Sequence, residues 1–338
     1  GRTHMKLNAG VIGLRFGATH AAAYRQNPHT ELSFLCDTDS ERLNEVAAEL
    51  GVSKTTTDYR ELLDDESIQI VSIATPDMLH REMAVAALEA RKHVLCEKPM
   101  ALTMDDCSAI IQAADRAKTL FMIGQVCRFA PGFVLTHSLV QDGLIGNLFL
   151  VESEYAHNYT NARGVGDWRL HPLRHPFIGG ACHAVDLLRW IAGNVVEVHA
   201  YANHFTMKEW PNDDCIVANM KFESGVVGRV MCSIGCQRPY TMRSCFYGDA
   251  GTIISTNTDD RIQVFSTKYP SKPAFWDIPV DISSHNVIHE VATLVDCIRV
   301  GKRIQTDARE GARTVSTCLA VIESSRSGQP VRVADIVS

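Results

Sequence analysis

The chain opens with short apolar runs that alternate with stretches of helical periodicity. Residues 8–13 (NAGVIG) predict a strand and 19–27 (THAAAYRQN) a helix. Residues 31–37 (ELSFLCD) predict a second strand. In 40–51 (SERLNEVAAELG), Leu43, Val46, Ala47 and Leu50 share one helical face, and Gly51 suits a left-handed cap. The run IQIVSIATP (68–76) is apolar almost throughout, as a strand covered by helices on both sides must be. A helix (81–92), a strand (93–99), a helix opened by Thr103 with Asp106 three residues on, and a strand (120–126) complete the series. Strand–helix alternation at this spacing predicts a parallel, doubly wound sheet.

The pattern changes after about Arg128. A helix (132–143) and a strand (148–158) precede a loop-like stretch, 160–178, with Pro, Gly, Trp and several His. A short helix (182–193) follows. From Val195 to about Phe265 strand-like runs alternate with turns, and Glu223-Ser224-Gly225 reads as the turn of a hairpin. The end is helical again, over 287–301 and 308–328. The expected organisation is an N-terminal Rossmann domain, 1–127, and a C-terminal α+β domain with a large, mostly antiparallel sheet, 128–338. The last helices are free to pack back toward the first domain.

Composition narrows the function classes. The 338 residues are 46% hydrophobic and 21% charged, with a formal net charge of -6. That balance, without any polybasic block, argues against a broad nucleic-acid surface. No apolar run approaches the roughly 18 residues of a membrane span. The opening GRTHMKLNAG lacks the apolar core of a signal peptide, and residues 1–4, before Met5, are expected to be an expression remnant. Eleven cysteines are spread over both halves, among them Cys36, Cys96, Cys127, Cys245 and Cys297 in apolar settings. They read as free core thiols of a cytoplasmic protein. Cys232 and Cys236 are too isolated for a metal site, and His157, His171, His175 and His183 match no standard zinc spacing, so no metal is expected.

Four local motifs carry candidate chemistry. The first turn resembles G-x-G-x-x-G, but only Gly13 keeps its place; Arg15 stands at the second glycine and Ala18 at the third. Gly13 permits a tight turn, and Gly17 lets a helix start close to the strand, where free N–H groups and the helix dipole suit a diphosphate. An arginine at 15 must point away from such a ligand or lie along its phosphates. The loop alone fits a dinucleotide and a plain strand–turn–helix corner equally well. Second, Asp37 ends the second strand, where a carboxylate accepts ribose hydroxyls and repels a 2′-phosphate. That favours NAD over NADP, which Arg15 and Arg42 keep open; capping of the next helix is the alternative use of Asp37, Asp39 or Ser40. Third, Glu97-Lys98-Pro99 puts a lysine at the carboxyl end of a strand, where doubly wound sheets bind ligands. Fourth, His183 follows a glycine pair near a helix start, either as a proton-transfer group or as a packed histidine bonded to Asp186.

Taken in order, AGVIGLRFGATH, FLCDTD, VSIATPDMLH, HVLCEKPMA, GQVCRFAPGF, GGACHAVDLLRW, FYGDAGTI and the C-terminal DAREGARTVSTCLAVIESSRSGQPVRV resemble the Gfo/Idh/MocA oxidoreductases over nearly the whole chain. The resemblance implies an NAD-dependent enzyme that moves a hydride between the cofactor and a sugar, polyol or related carbohydrate. It implies Gly13, Phe16 and Gly17 at the pyrophosphate, with Arg15 beside them, Asp37 at the ribose, and Thr75, Pro76 and His80 near the nicotinamide ribose. Glu97 and Lys98 match a motif that contacts cofactor and substrate, Lys98 being its catalytic lysine. Trp168 and Arg169 resemble a pair that reaches the cofactor from the second domain, and His183 matches the catalytic histidine. Many relatives carry an aspartate four residues before that histidine. Here the position is Gly179, with Asp167 and His175 as candidate substitutes. The alternative reading is a non-catalytic dinucleotide-binding regulator of the same fold. An exposed sheet face in the second domain predicts a homodimer or homotetramer.

Overall fold

The computed structural model describes residues 6–283 and 285–336, so the opening five residues, including the expected remnant 1–4, lie outside the described residues. The chain forms two compact units. One comprises residues 6–125 and 286–312, the other 126–283, 285 and 313–336. The helix that begins at 287, expected at the C-terminal end, thus belongs to the first unit.

The first unit is built from β1 (Leu7–Ile12), α1 (Gly17–Gln26), β2 (Thr30–Cys36), α2 (Ser40–Leu50), β3 (Thr55–Thr56), α3 (Tyr59–Asp64), β4 (Ile70–Ile73), α4 (His80–Glu89), β5 (His93–Glu97), α5 (Met104–Arg116) and β6 (Phe121–Gly124). Its six strands pair in parallel in the order β3-β2-β1-β4-β5-β6. The order reverses between β1 and β4, the place where such sheets take ligands at their carboxyl ends. Every residue of β4 is buried, which explains its nearly continuous apolar run, broken only by Ser72. Helix α2 starts as the sequence suggests, with Asp39 accepting from the Glu41 and Arg42 N–H groups. It ends at Gly51 in the left-handed conformation. Thr103 caps α5 by accepting from Asp106 N at 3.1 Å. The two-residue β3 and the short helix α3 have no counterpart in the hydrophobic pattern, being too short to show a period.

The second unit contains α6 (Pro131–Gln141), β7 (Leu148–Ala156), α7 (Pro176–Gly179), α8 (Cys182–Ala192), β8 (Val195–Asn203), β9 (Cys215–Phe222), β10 (Val227–Ser233), β11 (Thr241–Gly248), β12 (Gly251–Thr256), β13 (Arg261–Ser266) and β14 (Trp276–Pro279). Helix α9 (Val287–Val300) returns to the first unit, α10 (Ala308–Ser327) runs from the first unit into the second, and β15 (Val331–Arg332) ends the second sheet. That sheet has nine strands in the order β14-β13-β12-β11-β7-β10-β9-β8-β15. All its pairings are antiparallel except β7 with β10. The expected hairpin joins β9 to β10 through Gly225, whose φ is +87°. Helix α8 packs on the sheet and buries its whole length but Trp190, which makes it a rigid support for any residue it carries.

Candidate active site

Turn residues Gly13–Phe16 connect β1 to α1 at the carboxyl edge of the first sheet. Gly13 has φ +86°, and a Cβ there would lie 2.6 Å from the Ala74 carbonyl oxygen, so only glycine fits. A Cβ at Gly17 would sit 3.0 Å from Val11, so glycine also lets α1 start against the strand. The amino end of α1 has no side-chain cap and no acid in its first turn. Thr19 N donates to the Phe16 carbonyl at 2.9 Å, and the uncapped N–H groups beside it suit an anion, so the turn fits a diphosphate despite its altered glycine pattern. Phe16 is exposed at the turn and packs edge-on to His20.

Asp37 ties this turn to the second strand. Its Oδ2 accepts from Leu14 N at 2.6 Å and its Oδ1 from Asp39 N at 2.8 Å. Each oxygen retains a lone pair for a ribose hydroxyl. Asp39, not Asp37, caps α2. Arg15 pairs with Asp39 at 2.8 Å, and Arg42 with the Leu14 carbonyl and Glu45. Both arginines that would welcome a 2′-phosphate are thus engaged by acids.

A second loop cluster stands at the ends of β4 and β5. The ring of fully buried His80 spans it: Nδ1 lies 2.8 Å from the Pro99 carbonyl oxygen and Nε2 3.0 Å from that of Thr75. Both partners only accept, so both nitrogens must donate, and only an imidazolium does that. Burial alone would lower the His80 pKa, but Cys96, the Asp77 charge and the Pro99 carbonyl outweigh it and raise the value to about 10. His80 therefore acts as a clasp between the Thr75-Pro76 segment and the Lys98-Pro99 turn, whose peptide bond is cis. Glu97 is buried as well. Its Oε1 lies 3.0 Å from His20 Nε2, and its Oε2 accepts from Lys98 N at 3.3 Å. Lys98 is half-buried at the tip.

The second unit holds the other candidates. His183 lies in the first turn of α8, with Nδ1 3.5 Å from Cys127 Sγ. Asp186, a possible partner for it, is turned to other groups. It takes two 2.7 Å bonds from Arg128 and one of 3.0 Å from Thr314, all buried. Trp168 and Arg169 end a 3₁₀ stretch, the guanidinium 5.2 Å from the indole and 5.8 Å from the Tyr159 ring. Neither suggested replacement for the aspartate takes its place. Asp167 is exposed at a positive φ, and His175 accepts from Phe177 N to cap α7, its pKa pushed down to about 3 by burial and the Arg326 charge. Instead the guanidinium of Arg174 occupies the space beside Gly179, stacked 5.1 Å from the Trp168 ring.

Two buried residues of the first unit escaped the sequence reading, His20 and Glu290. Each is an isolated polar residue on a helix face that is otherwise apolar: His20 among the alanines of α1, Glu290 with Val291, Leu294 and Cys297 on α9. That mismatch was the available signal.

Residues 7–125 match the profile of the oxidoreductase family with an NAD-binding Rossmann fold, and residues 133–254 that of the GFO/IDH/MocA C-terminal domain. A D-apiose dehydrogenase of Paraburkholderia graminis is 25% identical, over 99% of this chain and 92% of its own. The crystal structure of an oxidoreductase domain protein from Kribbella flavida superposes with a TM-score of 0.90 at 28% identity, covering 98% of this chain and 100% of that one. A levoglucosan dehydrogenase in complex with NADH and levoglucosan shares the fold, with a TM-score of 0.90 at 24% identity over 98% and 100% of the two chains. With both domain profiles matched in order, this chain belongs to the Gfo/Idh/MocA oxidoreductase family, and its first unit is the family's NAD-binding Rossmann fold.

Proposed function

We propose that the protein is a dehydrogenase or reductase acting on a hydroxyl or carbonyl carbon of a sugar, polyol or related carbohydrate, with Lys98 and His183 as its catalytic residues. The observation that carries this reading is the fixed Glu97-Lys98-Pro99 turn, held by His80 and Glu97 at the carboxyl edge of the parallel sheet. The names of the relatives, dehydrogenases of apiose, levoglucosan and inositols, support the substrate class. NAD, bound by the Gly13–Gly17 turn and Asp37, supplies or accepts the hydride. Lys98 donates a hydrogen bond to the reacting oxygen and polarises its bond to carbon. His183 takes the hydroxyl proton in oxidation and returns it in reduction, so that alcohol and ketone differ by one hydride and one proton. Trp168 and Arg169, from the second unit, are assigned to cofactor binding.

The test is a panel of sugars, polyols and their acids, with NADH followed by absorbance. Lys98→Ala should lower kcat by about two to four orders of magnitude while NAD affinity stays within a few-fold. Full turnover by that variant removes Lys98 from the chemistry. Intact NAD binding with no turnover across the panel supports the non-catalytic regulator instead.

Two coarser readings accompany this one. The outward face of the second sheet exposes Tyr201, Val217 and Val227 between charged pairs such as Arg229 with Glu152, which supports a homodimer or homotetramer testable by sedimentation. None of the eleven cysteines is in a disulfide among the described residues, which supports a cytoplasmic setting, and no helix among the described residues is long and apolar enough to cross a membrane.

A further inference from the structure

Helix α9 carries an acid into the interior of the first unit. Glu290 is 0% exposed, and neither of its carboxylate oxygens receives a hydrogen bond among the described residues. It faces a buried pair. One oxygen of Glu290, one oxygen of Glu97 and a ring nitrogen of His20 all lie within 4.8 Å of one another. The pair is held in turn. His20 Nε2 is 3.0 Å from Glu97 Oε1, and His20 Nδ1 is 3.1 Å from Ser72 Oγ, itself 2.9 Å from the Tyr24 hydroxyl. Glu97 Oε2 accepts from the Lys98 N–H, so the chain of contacts ends at the backbone of the proposed catalytic lysine.

Charge makes this arrangement informative. Two carboxylates this close in an apolar interior cannot both stay ionised. His20 Nε2 stands beside Glu97, whereas no hydrogen-bond donor among the described residues reaches the second acid. Leaving Glu290 ionised and undonated would be strongly unfavourable. Burial first, and then the Glu97 charge, drive the Glu290 carboxyl well above its ordinary value. The groups around it are His20 and Tyr24 on α1 and Glu97 at the end of β5, with Ser72 on β4 bonded to the first two. Among them Tyr24 is also pushed up, chiefly by burial, and so stays neutral.

We propose that Glu290 is a positioning residue for Lys98: a neutral carboxylic acid that leaves a single carboxylate, Glu97, in the cluster and holds it oriented between His20 and the Lys98 N–H. The inference rests on the reading of Lys98 as the catalytic lysine. An acid at 290 that ionised would repel Glu97, turn its carboxylate and let the Lys98 turn drift. A neutral side chain that can donate a hydrogen bond is what the site requires, so glutamine should serve and an apolar residue should not.

The experiment compares the full-length protein with Glu290→Gln, Glu290→Met and Lys98→Ala. Infrared spectra at neutral pH should show a protonated carboxyl band in the wild type that Glu290→Gln lacks; this readout needs no substrate. With a substrate from the panel, Glu290→Gln should keep kcat within about twofold. Glu290→Met, similar in volume, should lose about tenfold or more in kcat at unchanged NAD affinity, with a displaced pH profile. The absence of the carboxyl band overturns the proposal, as does a kcat and pH profile of Glu290→Met equal to wild type. Equimolar metal bound by wild type and lost in Glu290→Gln overturns it too, because a cation would then stand where the proton is placed. Failure of the Lys98 reading is distinguishable, since it appears as an active Lys98→Ala variant whatever the infrared spectrum shows.

Discussion

The guanidinium of Arg174 fills the space in which a side chain at Gly179 would stand. Beside this position, four residues ahead of His183, the chain places a buried cation on an indole face. Gly179→Ala must push that guanidinium aside. Overpacking of this kind costs about 1–3 kcal/mol, read as a lower urea midpoint at unchanged m. Arg174→Ala should relieve it, so the double variant should be less destabilised than the sum of the two single changes. Additive losses would mean that the two residues do not compete for the same space.

His80 gives the protein a pH-dependent stability term. Its folded pKa, about 10, lies above the ordinary histidine value of 6.5. A raised value means that folding favours the protonated ring, so its contribution is complete below about pH 6.5 and declines as pH rises through about 10. Glutamine at 80 can reach at most one of the two carbonyls well, so His80→Gln should cost about 1–3 kcal/mol near pH 6. Unfolding curves from pH 6 to 10 check this. The gap between wild type and variant should narrow with rising pH, and a constant gap would remove the charged clasp.

Asp37 should decide the coenzyme. Asp37→Ala removes the ribose acceptor and the bond to Leu14 N together. The ratio of kcat/KM for NAD over NADP should fall at least about tenfold, because the charge opposing a 2′-phosphate is gone. Isothermal calorimetry with both coenzymes gives the same comparison without turnover. An unchanged ratio would assign discrimination to the Arg15–Asp39 pair instead.

Asp186 is predicted to be structural. It holds Arg128 with two buried 2.7 Å bonds and accepts from Thr314 on α10. Asp186→Ala removes two buried charged bonds from Arg128 and the bond from Thr314, and should cost about 3–5 kcal/mol, visible as a sharply lower Tm or as failure to fold. A near-native Tm would show that the Asp186 bonds to Arg128 and Thr314 do not hold the fold together.

Much of this was legible one residue at a time. The strand–helix alternation, the caps at Gly51 and Thr103 and the hairpin at Gly225 were readable because each depends on neighbours within a few positions. The same holds for Gly13, whose positive φ belongs to a turn of fixed type. The sequence also marked Asp37, Lys98 and His183, since each sits at the end of a strand or the start of a helix, where such folds carry chemistry.

The partners of those residues were not legible. Glu290 is 193 positions beyond Glu97, and Asp37 holds Leu14 from 23 positions away. Arg174, five residues before Gly179, reads in sequence as one of several basic residues of a loop expected to face the substrate, and nothing local shows that it fills the space a side chain at 179 would take. The sequence by itself determined which elements form and where the candidate groups sit along them, because backbone preference and hydrophobic period are local. Only the tertiary structure decided which acid meets which base, and which of them lose water, because burial and through-space charge depend on packing between segments far apart in the chain.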